Sequence, residues 1–263
     1  MAKRYARLTE DWLMRGWSDL PFAAVNWKTG DLRPVNPRIA HVLKGCDGVT
    51  DFDSLLFLPI HRMILDKLIE EGIAAECVEG GTFAPDQGYR RADNPYLHSI
   101  HWSVTGRCNL NCRHCYMEAP GKRYSDMCAA DARRVIEQFA RANVLRVSIT
   151  GGEPFVREDL FSIIQQLLDY RILVHQIYSN GLLVTDQVVQ QIKAMGLSPS
   201  FHLSFDGCGA HDRMRGTKGT EKPVLEAIER IRAAGLRVHV ATSVDRLSRT
   251  WQTRLRIKRY FQN

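Results

Sequence analysis

Three cysteines crowd into the eight residues Cys108-Asn109-Leu110-Asn111-Cys112-Arg113-His114-Cys115. The other four, Cys46, Cys77, Cys128 and Cys208, are scattered, so the seven do not read as a disulfide framework, and the crowding reads as ligation. Thiolates this close on one loop suit zinc or an iron-sulfur cluster. Structural zinc needs four protein ligands in a closed tetrahedron. The loop offers three thiolates with no second pair downstream, so zinc would have to recruit His114 or a distant residue. A cubane of four irons held by three thiolates leaves one iron open to a substrate or cofactor, which is a catalytic arrangement.

Three further segments carry unusual chemistry: Gly151-Gly152-Glu153-Pro154, Ser179-Asn180-Gly181 and Ser204-Phe205-Asp206-Gly207. Their positions follow from the elements around them. From residue 99 onward, strands alternate with helices. Ile100, Trp102 and Val104 alternate as a strand; Ser125 or Asp126 caps a helix whose inner face is Ala132, Val135, Ile136 and Phe139; Leu145, Val147 and Ile149 alternate again. Helices over 159–170, 186–195 and 221–234 and strands over 172–178, 200–205 and 237–244 complete four and a half βα units. Such alternation demands a parallel sheet, open or curled toward a barrel. In that architecture sites lie beyond the carboxyl ends of the strands. The cysteine loop and the three polar segments all fall there, so four parts of the chain should converge on one rim.

The front of the chain reads differently. Residues 21–35 form a small hairpin turning at Gly30. Asn36-Pro37 caps a helix with the stripe Ile39, Val42 and Leu43, and further helical pieces cover 51–57 and 61–71 before a returning strand over 73–78. Residues 1–80 are thus a small α+β, winged-helix-like module. Residues 81–96, rich in Gly, Pro, Asp and Arg, read as a linker, and 97–248 as the core. Trp12, Trp17, Phe22 and Trp27 fill the module or line a groove in it. Cys46, Cys77, Cys128 and Cys208 read as packing residues, with Cys128 on the inner face of its helix. His61, His98, His101, His175 and His211 have no metal spacing and read as structural or solvated.

At 44% hydrophobic and 25% charged residues the composition is globular, and no stretch reaches the roughly 18 apolar residues of a membrane span. The start carries no secretory signal pattern, so the expected setting is cytoplasmic. The net charge of +7 invites a nucleic-acid reading. Five basic residues and no acid lie in 249–263, however, and without them 31 Lys+Arg face 29 Asp+Glu. The body is nearly neutral, and nucleic acid is not expected as a partner.

The C-x3-C-x2-C loop with the His114 ring before its last cysteine, the Gly-Gly-Glu-Pro after the next strand, and Ser-Phe-Asp-Gly followed by His211-Asp212-x-x-Arg215-Gly216 resemble the radical S-adenosylmethionine enzymes. More narrowly, they resemble the peptide-maturase branch, and the front module resembles the element that binds leader peptides there. The resemblance covers about residues 97–245. It implies a partial (β/α)6 barrel of parallel strands. Cys108, Cys112 and Cys115 would hold a 4Fe-4S cluster, whose open iron is chelated by the amino and carboxylate groups of S-adenosylmethionine. Gly151, Gly152 and Glu153 would offer backbone and an acceptor to the methionine ammonium, with Pro154 fixing the turn. His114 would pack on the adenine side, Ser204 would meet the ribose, and Asn180 and Arg215 would add contacts, the arginine to the carboxylate. A low-potential electron from a donor such as flavodoxin or ferredoxin would release a 5′-deoxyadenosyl radical, which abstracts hydrogen from a ribosomal precursor peptide. Thioether formation, carbon-carbon bond formation and epimerisation remain open outcomes of this oxidoreductase-like chemistry.

The chain departs from that branch in having no cysteine after Cys208, where relatives carry a cysteine-rich SPASM extension. Residues 249–263, RTWQTRLRIKRYFQN, are charged with one sign and lack amphipathic periodicity. The reading is that the gene is truncated or frame-shifted near Leu247. Two rivals follow: a catalytically inactive peptide-binding protein, and a zinc-stabilised nucleic-acid binder.

Overall fold

The computed structural model describes residues 3–81, 83–118 and 126–243. They fall into two compact units. One comprises the described residues up to His98 with Glu137–Leu145 and Arg171–Leu173, and the other comprises the remaining described residues.

In the first unit, β1 (Tyr5–Leu8), β2 (Trp12–Gly16), β3 (Ala23–Asn26) and β4 (Leu32–Pro34) precede α1 (Pro37–Gly45), α2 (Pro59–Glu70), β5 (Ala74–Cys77) and the short β6 (Arg90–Arg91). β1 and β5 form an antiparallel pair, and the other four make a mixed sheet in the order β4-β3-β2-β6. α1 starts as its residues dictate, with the Asn36 side chain accepting from the Ile39 amide and proline in the first turn. Strand alternation splits β2 between two apolar clusters: Trp12 and Met14 pack with Val42, Leu43, Phe52 and Leu65, while Leu13 packs with Trp17, Ala23 and Val25.

Two expectations fail in this unit. Residues 51–57 are turns rather than a helix, because the Asp51 side chain accepts from the Arg4 and Asp53 amides, drawing the backbone into a turn. Residues 81–96 are not a free linker. Gln87 is buried and donates to the carbonyls of Thr9 and Trp12, and buried Arg15 donates to those of Asp86 and Gly88. The polar composition that reads as a linker here supplies buried hydrogen bonds.

The second unit is a five-stranded sheet in the order β11-β10-β9-β8-β7, made of β7 (Ile100–Ser103), β8 (Arg146–Thr150), β9 (Leu173–Ser179), β10 (Ser200–Ser204) and β11 (Val238–Ala241). Its registered pairings are parallel. The intervening helices are α3 (Ala129–Arg141), α4 (Leu160–Asp169), α5 (Asp186–Ala194), the five-residue α6 (His211–Arg215) and α7 (Glu221–Ala233). This is an α/β fold in which a small mixed-sheet part precedes the parallel sheet of a partial barrel. The helices bury one stripe each, as with Leu160, Ile163, Ile164 and Leu167 of α4. On β10, Phe201 and Leu203 are fully buried, whereas His202 and Ser204 have the opposite parity and are partly exposed. The rings of His101, Tyr178, His202 and His239 continue that polar parity across the sheet, with Tyr178 and His202 stacked at 4.6 Å.

Helix α3 begins at Ala129, so Cys128 precedes its first turn. Cys128 is exposed with its thiol 3.2 Å from Asp131, not packed in the core. Asp126 is not a helix cap either; its partners lie across the sheet edge, as described below. Ser125 and 249–263 lie outside the described residues. No helix among the described residues is long and apolar enough to cross a membrane.

Candidate cofactor site

The rim is assembled by backbone contact between the turn after β8 and the chain entering the cysteine loop. The Gly152 amide donates to Thr105 O at 3.0 Å and the Glu153 amide to Arg107 O at 2.9 Å. Gly151 has φ 148°, and a Cβ there would stand 2.5 Å from Thr105 O; one on Gly152 would stand 2.2 Å from Arg107 O. Only glycine permits this approach. Asp126 braces the same entry, accepting from the Thr105 hydroxyl and from Arg107 Nε at 2.6 Å. Burial pushes its carboxyl up, but those two hydrogen bonds and the Arg107 charge outweigh it and hold the group below the ordinary carboxylate value.

Glu153 does not meet the expectation of an acceptor exposed to a ligand. It is fully buried and turned toward the end of β9, where it accepts from the Ser179 hydroxyl at 2.9 Å, the Asn180 amide at 2.7 Å and the Phe155 amide at 3.2 Å. Burial pushes its carboxyl up to about 7 against the pull of those donors. Pro154 is buried as the first residue of a 3-10 turn. Glu153 does not line the cavity and ties the turn after β8 to the end of β9.

The remaining candidates converge. A cavity of about 250 Å³ is lined by Cys108, Cys112, Cys115, His114, Gly151, Gly152, Asn180, Ser204 and Arg215. Thr150, Tyr178, Tyr116 and Met117 also line it and were missed in the sequence. Thr150 and Tyr178 could have been found as the outermost polar-parity residues of β8 and β9; Tyr116 and Met117 have no signal beyond adjacency to Cys115.

The thiolate loop is held from two sides. Asn180 Nδ2 donates to Asn109 Oδ1 at 2.7 Å and lies 3.9 Å from Cys108 Sγ. The Leu110 amide donates to Cys108 Sγ at 3.4 Å. Burial raises the Cys108 thiol pKa and the Leu110 amide opposes it, while the charges of Glu153, Cys112 and Cys115 push it further up. On the other side α6 docks against the loop. The Arg113 amide donates to Met214 O at 3.2 Å, and a Cβ on Gly216 would stand 2.6 Å from Asn111 O. Arg215 Nη1 then lies 3.9 Å from Cys112 Sγ and 3.5 Å from His114 Nε2. Helix α6 escaped the sequence reading because five residues carry no periodicity; its one signal is the left-handed Gly216 that ends it.

This donor set suits a multinuclear cluster with an anionic co-ligand. Among the described residues, no three His, Cys, Asp or Glu side chains converge to share a single metal ion. All seven cysteines are free thiols. Arg215 lines the cavity and its Nε is buried without a hydrogen-bond partner, so the guanidinium is not fully spent on protein partners.

A parallel partial barrel with a three-thiolate loop after its first strand, facing a diglycine turn, defines a cluster-dependent enzyme core. The chain belongs to the radical SAM superfamily, whose family profile matches residues 102–257; its cofactors are a 4Fe-4S cluster and S-adenosylmethionine. Among curated relatives, an AdoMet-dependent heme synthase of Oleidesulfovibrio alaskensis is 32% identical over 158 residues, covering 58% of this chain and 40% of that protein. The mycofactocin maturase MftC of Mycobacterium tuberculosis is 30% identical over 155 residues, covering 57% and 38%. The chain thus spans about two fifths of the length of these relatives. In fold, it is similar to Streptococcus suis SuiB bound to S-adenosylmethionine, with TM-score 0.60 and 15% identity over 97% of this chain and 60% of that one. The same protein bound to precursor peptide SuiA gives TM-score 0.62.

Proposed function

We propose that the protein is a maturase that modifies a ribosomally made peptide in the cytoplasm. The observation that carries this reading is the reach of the fold match. SuiB, solved with a precursor peptide, is matched in fold over 97% of this chain, first unit included. The first unit is then the leader-binding module, and the core is the catalytic part.

In this reading Cys108, Cys112 and Cys115 hold the cluster, and the cavity beside it takes S-adenosylmethionine. When bound, the cluster would supply the low-potential electron for reductive cleavage of S-adenosylmethionine, received from a donor of the flavodoxin or ferredoxin class. The protein's part is placement. Gly151 and Gly152 let their turn close onto the entry of the cysteine loop, which sets the backbone beside the methionine position, and Arg215 presents a fixed cation to the carboxylate. Asn180 holds the loop through Asn109, while Ser204 and His114 offer a hydroxyl and a ring to the nucleoside. Glu153 and Pro154 act on the cofactor only through the backbone they fix.

The test is anaerobic iron-sulfur reconstitution, then dithionite and S-adenosylmethionine with a synthetic precursor peptide encoded beside the gene. Deoxyadenosine formation that depends on Cys112, with a mass shift in the peptide, is the expected result. Deoxyadenosine without any peptide binding would reject the maturase. A second reading, modification of a tetrapyrrole, is favoured by the 32% identity to heme synthases in the core. It predicts product from an iron-coproporphyrin and none from the peptide.

A further inference from the structure

Asp206 follows β10 and is wholly buried, yet it does not line the cavity. Its carboxylate gathers three partners. Arg215 Nη2 lies 3.1 Å from Oδ1 and 2.9 Å from Oδ2, His211 Nδ1 3.2 Å from Oδ2, and the Ser243 amide donates to Oδ1 at 2.9 Å. One side chain thereby ties the end of β10, the helix α6 and the chain leaving β11. Burial alone would raise the Asp206 pKa, but the His211 hydrogen bond, the Ser243 amide and the Arg215 charge hold it below the ordinary value, so the carboxylate stays ionised.

The consequence lies in what the guanidinium has left. Arg215 has its Nη2 on Asp206, its Nη1 on the loop side near Cys112 and His114, and its buried Nε without a partner. A purely structural ion pair would spend the planar fork on its partner, because an unmet buried donor costs about 1–3 kcal/mol. Here one edge is anchored and further donors remain, which suits an arginine held for a second planar anion. With three thiols in the same cavity, an unanchored guanidinium would be free to turn onto them instead.

We propose that Asp206, steadied by His211 and the Ser243 amide, is the positioning residue that orients Arg215 for the carboxylate of S-adenosylmethionine. This rests on the reading that Arg215 meets that carboxylate. Asp206 acts through the arginine and never touches the ligand.

The experiment uses D206N, which keeps the side-chain volume and an acceptor for Ser243, together with R215K, which keeps the charge but not the fork. Anaerobic equilibrium dialysis on reconstituted full-length protein compares S-adenosylmethionine with its decarboxylated analogue. Both variants should weaken binding of the first about tenfold or more and of the second less than about twofold. Iron content should stay at the wild-type value, while the melting temperature of D206N should fall, because a buried guanidinium loses its counter-charge. The change that S-adenosylmethionine induces in the electron paramagnetic resonance of the reduced cluster should need correspondingly more ligand. Equal weakening of both ligands, unchanged affinity in D206N, or loss of iron in D206N would overturn the proposal. Wild-type protein that loads iron but binds no S-adenosylmethionine would remove the reading of the cavity as well, whereas wild-type binding with an unaffected D206N removes this proposal alone.

Discussion

The Gly152 amide donates to the Thr105 carbonyl at 3.0 Å, so the turn after one strand is stitched to the entry of the cysteine loop after another. The stitch needs bare backbone, since a Cβ at Gly152 would sit 2.2 Å from Arg107 O. Gly152→Ala should therefore push the two segments apart. Expected results are a loss of about 2 kcal/mol or more in stability and a several-fold fall in iron retained after reconstitution, read by thermal melting and iron analysis. Wild-type iron uptake in that variant would contradict the role.

Glu153 makes a pH prediction with a definite sign. Its carboxyl is raised to about 7 in the folded protein from an ordinary value near 4.5, so the folded state binds more protons than the unfolded state between those values. The contribution to stability is complete below about 4.5 and is lost as pH rises through about 7, amounting to on the order of 3 kcal/mol. Denaturant midpoints of the apoprotein across that window should decline with pH, and Glu153→Gln should flatten the decline. A wild-type profile as flat as that of the variant would show that the buried carboxyl does not titrate there.

Single substitutions Cys108→Ala, Cys112→Ala and Cys115→Ala should each remove most of the bound iron and the brown absorption. Cys46→Ala and Cys208→Ala should leave both in place. About one zinc per chain in colourless protein would instead support a zinc loop.

Gln87 tests the packed character of 81–96. Its side chain donates to Thr9 O at 2.7 Å and Trp12 O at 3.1 Å and accepts from the Ala84 amide at 3.0 Å. Gln87→Ala leaves those buried groups unpaired and should cost about 2 kcal/mol in the melting of the first unit. A flexible linker would tolerate the change within about 0.5 kcal/mol.

The legible parts share a physical basis. The parallel strands were readable because Ile100, Trp102, Val147, Ile149, Phe201 and Leu203 alternate with polar residues, and Asn36-Pro37 marks the start of α1 through local hydrogen bonding alone. Residues 51–57 form turns rather than the expected helix because Asp51 accepts from the amide of Arg4, a partner 47 residues away that no local pattern announces. Asp126 and Cys128 were misplaced by one short shift in the start of α3. Helix α6 was too short to show a period.

Sequence alone determined the ligand chemistry: three thiols at fixed spacing, and a diglycine one βα unit later at a strand's carboxyl end, because these depend on residue type and local order. Tertiary structure decided which groups face a ligand. It turned Glu153 away from the cavity and onto Ser179 and Asn180, and it brought Asp206 to Arg215. A buried charge takes whichever partners the packing delivers, and those partners come from separate strand ends that no linear spacing relates.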